Sequence, residues 1–190
     1  SAFAQPGGVD PAFSSGSGFA YQQGKNAAIY SMAVQADGKI IVGGQFSSYN
    51  EKKCNNIARL NADGSIDESF NTAEGFNKPV RTISLQRDGK IIVGGEFTAF
   101  DSKQQNHLIR LNSDGSKDES FDLGSSFNDI VYATIIQPDG DILAGGKFTN
   151  FNGSWQRRDS NYEGWIMSNY ITANNQGYFK IVHVDKNTGA

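Results

Sequence analysis

One ten-residue block occurs three times at equal spacing, and that spacing limits what the chain can fold into. Asp37-Gly38-Lys39-Ile40-Ile41-Val42-Gly43-Gly44-Gln45-Phe46 is followed 51 residues later by the block from Asp88 to Phe97, and after another 51 by the block from Asp139 to Phe148. A second block, from Ile57-Ala58-Arg59-Leu60-Asn61 to Phe70, recurs at the same offset from Leu108-Ile109-Arg110-Leu111-Asn112 to Phe121. Self-similarity at a fixed period of this length means that each copy is a small unit that buries its apolar face only against its neighbours.

Asp-Gly steps fall at 37, 63, 88, 114 and 139, two to each full repeat, with apolar runs of strand length on either side. They read as hairpin turns in which both Asp and Gly supply the positive φ angles of a tight loop. Two hairpins per repeat make four strands. In the first strand Ile29, Met32 and Val34 align with Val80, Ile83 and Leu85, and with Val131, Thr134 and Ile136. Alternation near the turn marks this strand as half buried. The second strand, Ile40-Ile41-Val42 and its copies, is apolar throughout and ends in Gly-Gly, which predicts burial on both faces and a backbone approached too closely for a side chain. Phe46, Phe97 and Phe148 would fill the space between units, each ring contributing about 1.5–3 kcal/mol if fully buried.

Four-stranded units of 51 residues that cover one another's apolar faces describe an all-β fold of β-propeller type; a β-trefoil, also built from three four-stranded repeats, is the alternative. The repeats divide the chain into 27–77, 78–128 and 129–190. Residues 6–26 hold the final strand of an incomplete repeat plus a linker, because Gly8-Val9-Asp10-Pro11-Ala12-Phe13 matches Ser65-Ile66-Asp67-Glu68-Ser69-Phe70. Lys180 to Gly189 resembles the strand and turn that begin at Ile57, so a hairpin is half built at the far end, and pairing of the first strand with the last would close a ring. Three blades are fewer than the four to eight usual for a ring, so further blades from the same longer chain or from other subunits are expected. In residues 1–5, Ala2 and Ala4 precede Gln5 in the small-x-small pattern of a signal-peptidase site, which points to export.

The two blocks, Asp-Gly-Lys-Ile-Ile-Val-Gly-Gly-x-Phe and Arg-Leu-Asn-x-Asp-Gly-Ser-x-Asp-x-Ser-Phe, resemble the bacterial delta-60 repeat, a propeller-like module of exported proteins in Bacteroidota. The likeness covers residues 7–151 and a piece near the end. It implies a secreted or cell-surface repeat protein, often one module of a longer chain, and it implies no particular reaction.

Composition removes several function classes. Lys and Arg number 17 against 20 Asp and Glu, a net charge of −3, so a basic surface that tracks phosphates is missing and nucleic acid is not the expected partner. The longest apolar runs fall far short of the ~20 residues of a membrane helix. Cys54 is the single cysteine and closes no internal disulfide.

The third repeat breaks the pattern. His183 takes the strand position of Arg59 and Arg110, but 73 residues after Arg110 rather than 51, so 22 residues are inserted between Phe151 and Tyr178, within about 152–178. The insertion holds both tryptophans of the chain, and Trp155, Arg157, Arg158, Tyr162, Trp165 and Tyr170 are the candidate ligand-binding residues. Aromatic faces stack on sugar C–H groups or anchor a protein partner, and Arg, Asp and Asn add oriented hydrogen bonds. The same rings would equally suit a satellite core that covers a blade edge. The expected function is a non-enzymatic surface module that binds a glycan or another surface protein through its loops, without a cofactor or a membrane span. A glycan-active hydrolase using Asp159 and Glu163 as its carboxylate pair is one alternative, and a structural spacer is another.

Other candidates rank lower. Asn61, Asp63, Ser65 and Asp67, like Asn112, Asp114, Ser116 and Asp118, set oxygens at alternate positions around a glycine as calcium loops do, yet the glycine is misplaced for an EF-hand and no terminal Glu follows. Turn chemistry explains them more simply. His107 and His183, at equivalent strands without a nearby metal cluster, read as structural or solvated; Arg59 and Arg110 read as packing or a ladder with the turn acids. Cys54 is expected in an exposed loop, as a free thiol or an intermolecular link.

Overall fold

A computed structural model describes residues 10–22, 25–123, 126–149, 171–172 and 178–184, and the regular structure among them is all strand. β1 (Phe19–Ala20) lies in the segment ahead of the first repeat, which runs β2 (Ala28–Val34), β3 (Ile40–Gln45), β4 (Ser48–Tyr49), β5 (Lys52–Lys53) and β6 (Ile57–Leu60). The second runs β7 (Val80–Leu85), β8 (Ile91–Gly95), β9 (Ala99–Phe100), β10 (Lys103–Gln104) and β11 (Leu108–Leu111). The third runs β12 (Val131–Ile136), β13 (Ile142–Gly146), β14 (Ile171–Thr172) and β15 (Tyr178–Val184). The long strands make three antiparallel sheets in the orders β2-β3-β6, β7-β8-β11 and β12-β13-β15, with β14 on the far side of β15. Register repeats with sequence: Arg59 lies opposite Ile41, Arg110 opposite Ile92 and His183 opposite Leu143. The third strand of repeat 3 therefore resumes after the insertion at the position expected.

Two expectations about these elements need correction. Each sheet of the two full repeats has three ladder strands rather than four. After the second Asp-Gly turn only one residue bridges back, Ile66 to Leu60 and Lys117 to Leu111. The next residue, Asp67 or Asp118, turns its carboxylate inward to the arginine of the third strand, and the chain bends there through the Phe70 N–H to Asp67 O bond or its copy. In addition, the Asp of each Asp-Gly step is not left-handed. Only the glycine is, with Gly38 at φ +82° and Gly89 at φ +84°. Asp37 instead accepts a hydrogen bond at Oδ1 from the Lys39 N–H (3.1 Å), and Asp88 does the same for Lys90 (3.1 Å). The result is a three-residue loop, closed by Gln35 N–H donating to Lys39 O, in which a type I turn is followed by a left-handed glycine. Two-residue loops with both φ values positive occur where no glycine announces them, at Asn50-Glu51 between β4 and β5 and at Asp101-Ser102 between β9 and β10.

The core lies between sheets. Ile41 and Ile57 of repeat 1 pack with Val80, Ile83, Ile91, Val93 and Phe97 of repeat 2. Ile92 and Leu108 of repeat 2 pack with Val131, Ile142, Ala144 and Phe148 of repeat 3. Strands β3 and β8 are thus buried on both faces, as their unbroken apolar runs require. A Cβ on Gly43 would stand 2.5 Å from Val80 Cγ1, and one on Gly94 would stand 2.8 Å from Val131 Cγ1, so the next blade occupies the space a side chain would need. Phe97 and Phe148 fill the gap between units, and each meets a second ring from the segment entering its repeat: Phe76 against Phe97 and Phe127 against Phe148, both 4.4 Å between centroids. Phe46 meets Phe19 in the same way. The first strands lie side by side, with Ser31 Oγ accepting from Ile83 N–H (3.0 Å) and Thr82 Oγ1 from Thr134 N–H (3.2 Å). Face-to-face sheets whose first strands line up in this way are the blades of a propeller, and the trefoil is set aside.

Candidate binding rim

Strand direction sorts the connections onto two rims. One carries the Asp-Gly turns; the other carries the β4–β5 and β9–β10 hairpins and, in repeat 3, the described stems, 147–149 and 171–172, of the long connection between β13 and β15. The near stem of that connection is firmly held. Asn128 Oδ1 accepts from Thr149 N–H (2.9 Å), Asn128 Nδ2 donates to Thr149 Oγ1 (3.0 Å), and the Phe127–Phe148 ring pair lies beside them. Asn77 and Thr98 make the same two bonds in repeat 2. At the far stem Ile171 and Thr172 pair with Phe179 and Tyr178. Trp155, Arg157, Arg158, Tyr162, Trp165 and Tyr170, and the acids Asp159 and Glu163, lie outside the described residues. So do the first nine residues with the export site and the end of the chain beyond Val184, on which the expected pairing of first and last strands falls.

The same rim brings together a row of residues missed in the sequence. Each first strand carries a β-bulge, between Ile29 and Ser31, Val80 and Thr82, and Val131 and Ala133, and the extra residues are Tyr30, Arg81 and Tyr132. Bulges redirect a side chain out of the pleat. The Arg81 guanidinium sits 4.1 Å from the centroid of the Tyr30 ring and donates from Nε to Glu96 Oε1 (2.7 Å), while Tyr30 Oη donates to Gln45 Oε1 (3.3 Å). Both tyrosines are exposed. Rings beside a cation and a carboxylate offer stacking and directed hydrogen bonds to a polar ligand with flat or C–H-rich faces. Their common offset in the repeat was the available signal, hidden because alignment followed the apolar positions on either side.

The charged side chains near the other rim are engaged by partners of their own repeat, and Arg59 Nη1 also donates to Ser113 O of the next. Arg59 Nε and Lys39 Nζ both reach Asp67 Oδ2 (2.7 and 2.8 Å), the Ser69 N–H and hydroxyl take Oδ1, and Arg59 lies 4.7 Å over the Phe70 ring. Arg110, Lys90, Asp118, Ser120 and Phe121 reproduce the arrangement. Burial alone would raise these two carboxyls, but the bonds from lysine, serine and arginine outweigh it and hold both well below the usual carboxylate range. The arginine ladder expected from sequence is present, although its acid stands past the turn rather than in it. Asp63 Oδ1 accepts from the Ser65 N–H and hydroxyl (2.9 and 2.6 Å), and Asn61 Nδ2 donates to Ser65 Oγ, so these oxygens close the turn. Among the described residues no group of three or more His, Cys, Asp or Glu is placed to hold a metal ion.

Cys54 is not in an exposed loop. It packs half-buried against the Phe46 and Tyr49 cluster, and burial pushes its thiol up to about 12, which keeps it protonated at neutral pH. His107 is buried beside Gly95 O, and burial lowers its pKa. A cleft of about 220 Å³ lies between Asn71, Phe100, Lys103 and Ser116. It is smaller than the roughly 300–1,000 Å³ of pockets that enclose small molecules.

These features define an all-β protein of β-propeller-type repeats. Residues 35–70, 86–121 and 137–158 match the model of a family described as a domain of unknown function (DUF5122) beta-propeller, and the three matches fall on the three repeats. The third match runs into the insertion. No curated protein matches the chain.

Proposed function

We propose that the chain is a non-enzymatic propeller module, secreted or held at the cell surface, that binds a glycan or a protein partner on the rim bearing the insertion. The observation that carries this reading is the place of the insertion. Repeats 1 and 2 join their second and third strands through the short segments 46–56 and 96–107, whereas repeat 3 spends 147–177 on the same connection. The added length leaves a stem tied by Asn128 and Thr149, on the rim that also presents Tyr30, Arg81 and Tyr132. Extra loop length on a rigid scaffold, rich in Trp, Tyr and Arg, is the composition of a recognition surface.

A glycan array run in parallel with a hydrolysis assay tests the proposal. Trp155→Ala and Trp165→Ala should each weaken binding by about tenfold or more, a loss of roughly 1.4 kcal/mol, with little change in melting temperature. A lowered melting temperature with binding retained would assign the rings to a satellite core. Release of sugar would assign an enzyme.

A further inference from the structure

Resting on the rim reading above, we infer that the row Tyr30, Arg81, Glu96 and Tyr132 takes an uncharged glycan, and that the Arg81–Glu96 pair selects it. Arg81 and Glu96 belong to the middle repeat, which has a described blade packed on either side, so their access from the rim does not depend on what covers the outer faces of the first and third blades. Their side chains are 30 % and 26 % exposed, and the tyrosines on either side of Arg81 in blade order are 39 % and 40 % exposed.

The pair is joined through one carboxylate oxygen. Arg81 Nε (2.7 Å) and Nη2 both donate to Glu96 Oε1. Among the described residues neither Arg81 Nη1 nor Glu96 Oε2 has a hydrogen-bond partner. A donor and an acceptor of the same ion pair thus stay open at the rim, with tyrosine rings in the same row. Neighbouring hydroxyls of a sugar suit both atoms, one accepting from Nη1 and the other donating to Oε2, while a C–H face of the sugar stacks on a ring. The pair carries no net charge, and a carboxylate or sulfate brought to Nη1 would meet Glu96 at the same guanidinium, which discriminates against acidic ligands. A protein partner seated here would strip water from the ion pair and leave Nη1 and Oε2 to be matched, a cost that is repaid only by excellent geometry. Lys147 holds the place of Glu96 in repeat 3, its N–H donating to Ile130 O as that of Glu96 donates to Pro79 O, and it adds a positive charge to the rim. Acidic glycans are for that reason the contrasting arm of the test.

The full chain is applied to an array carrying neutral hexose oligosaccharides beside uronate- and sulfate-bearing ones. The wild type should bind neutral members, and Arg81→Ala should weaken that binding about tenfold or more, with the melting temperature as the control for folding. Glu96→Gln, which bares the Arg81 charge, should shift the preference toward the acidic members; a ratio of two ligands on one variant is not moved by a loss of stability. A wild type that prefers acidic members overturns the inference. So does neutral binding that both variants leave unchanged; if Trp155→Ala still weakens it, the rim reading stands without this one. Binding to no glycan overturns the inference as well, and the rim reading then rests on a protein partner alone.

Discussion

Asn56 and His107 occupy equivalent positions just before the third strand, and both are left-handed, at φ +65° and +61°. Asn and His tolerate this region better than most residues. Both are buried, and their side chains are tied to backbone carbonyls, Asn56 Nδ2 to Phe76 O and His107 Nδ1 to Gly95 O. The histidine brings a titration that the asparagine lacks. Its folded pKa lies below the ordinary value of about 6.5, so as pH falls through 6.5 the unfolded chain takes up the proton first and stability drops. His107→Asn, which copies repeat 1, should leave neutral-pH stability within about 1 kcal/mol and flatten the urea midpoint between about pH 5 and 6.5. An unchanged pH slope would mean that another group is responsible. The sequence read His107 as structural or solvated, and the structure shows it buried; its left-handed backbone was not legible, because handedness at one position follows from how the neighbouring strands meet.

At the scale of the element, the Arg–Asp–Lys constellation explains why the blades of the two full repeats stop at three ladder strands. Asp67 and Asp118 bring the fourth segment inward after one bridge, joining the second strand's lysine and the third strand's arginine to the returning chain. Asp118→Ala leaves the buried Arg110 without its carboxylate and should cost about 3–5 kcal/mol in urea unfolding at pH 7. The folded pKa of this carboxyl is depressed, so its contribution is complete above about pH 4 and is lost as pH falls below that toward the folded value. Comparing wild type and variant at pH 7 and pH 3 should show the gap narrowing in acid, and a gap of constant size would argue that shape, not charge, is what Asp118 provides. The pairing of Arg59 and Arg110 with acids was legible from their places in the repeat. Which acid they choose was not, because the Asp-Gly step spends its own Asp on closing the turn.

Across the molecule, stability resides between blades, and the glycines at 43 and 94 set how closely the blades approach. A Cβ on Gly94 would meet Thr82 Cγ2 at 2.7 Å and Val131 Cγ1 at 2.8 Å. Gly94→Ala should cost about 1–3 kcal/mol, and adding Val131→Ala should recover part of it, since the second change removes the clashing methyl. Strictly additive costs would show that the blades are not in contact there. The chain's letters were enough to determine the repeat, its first three strands, the doubly buried second strand and the point at which the third repeat resumes. Those properties follow from a 51-residue period and from local alternation, which every copy carries within itself. Tertiary structure alone decided that Tyr30, Arg81 and Tyr132 share a rim, that Asp67 and not Asp63 meets Arg59, and that Met32 stays open where Ile83 is covered. Each of these depends on which neighbour stands across the gap, and a residue's own copy carries no record of that.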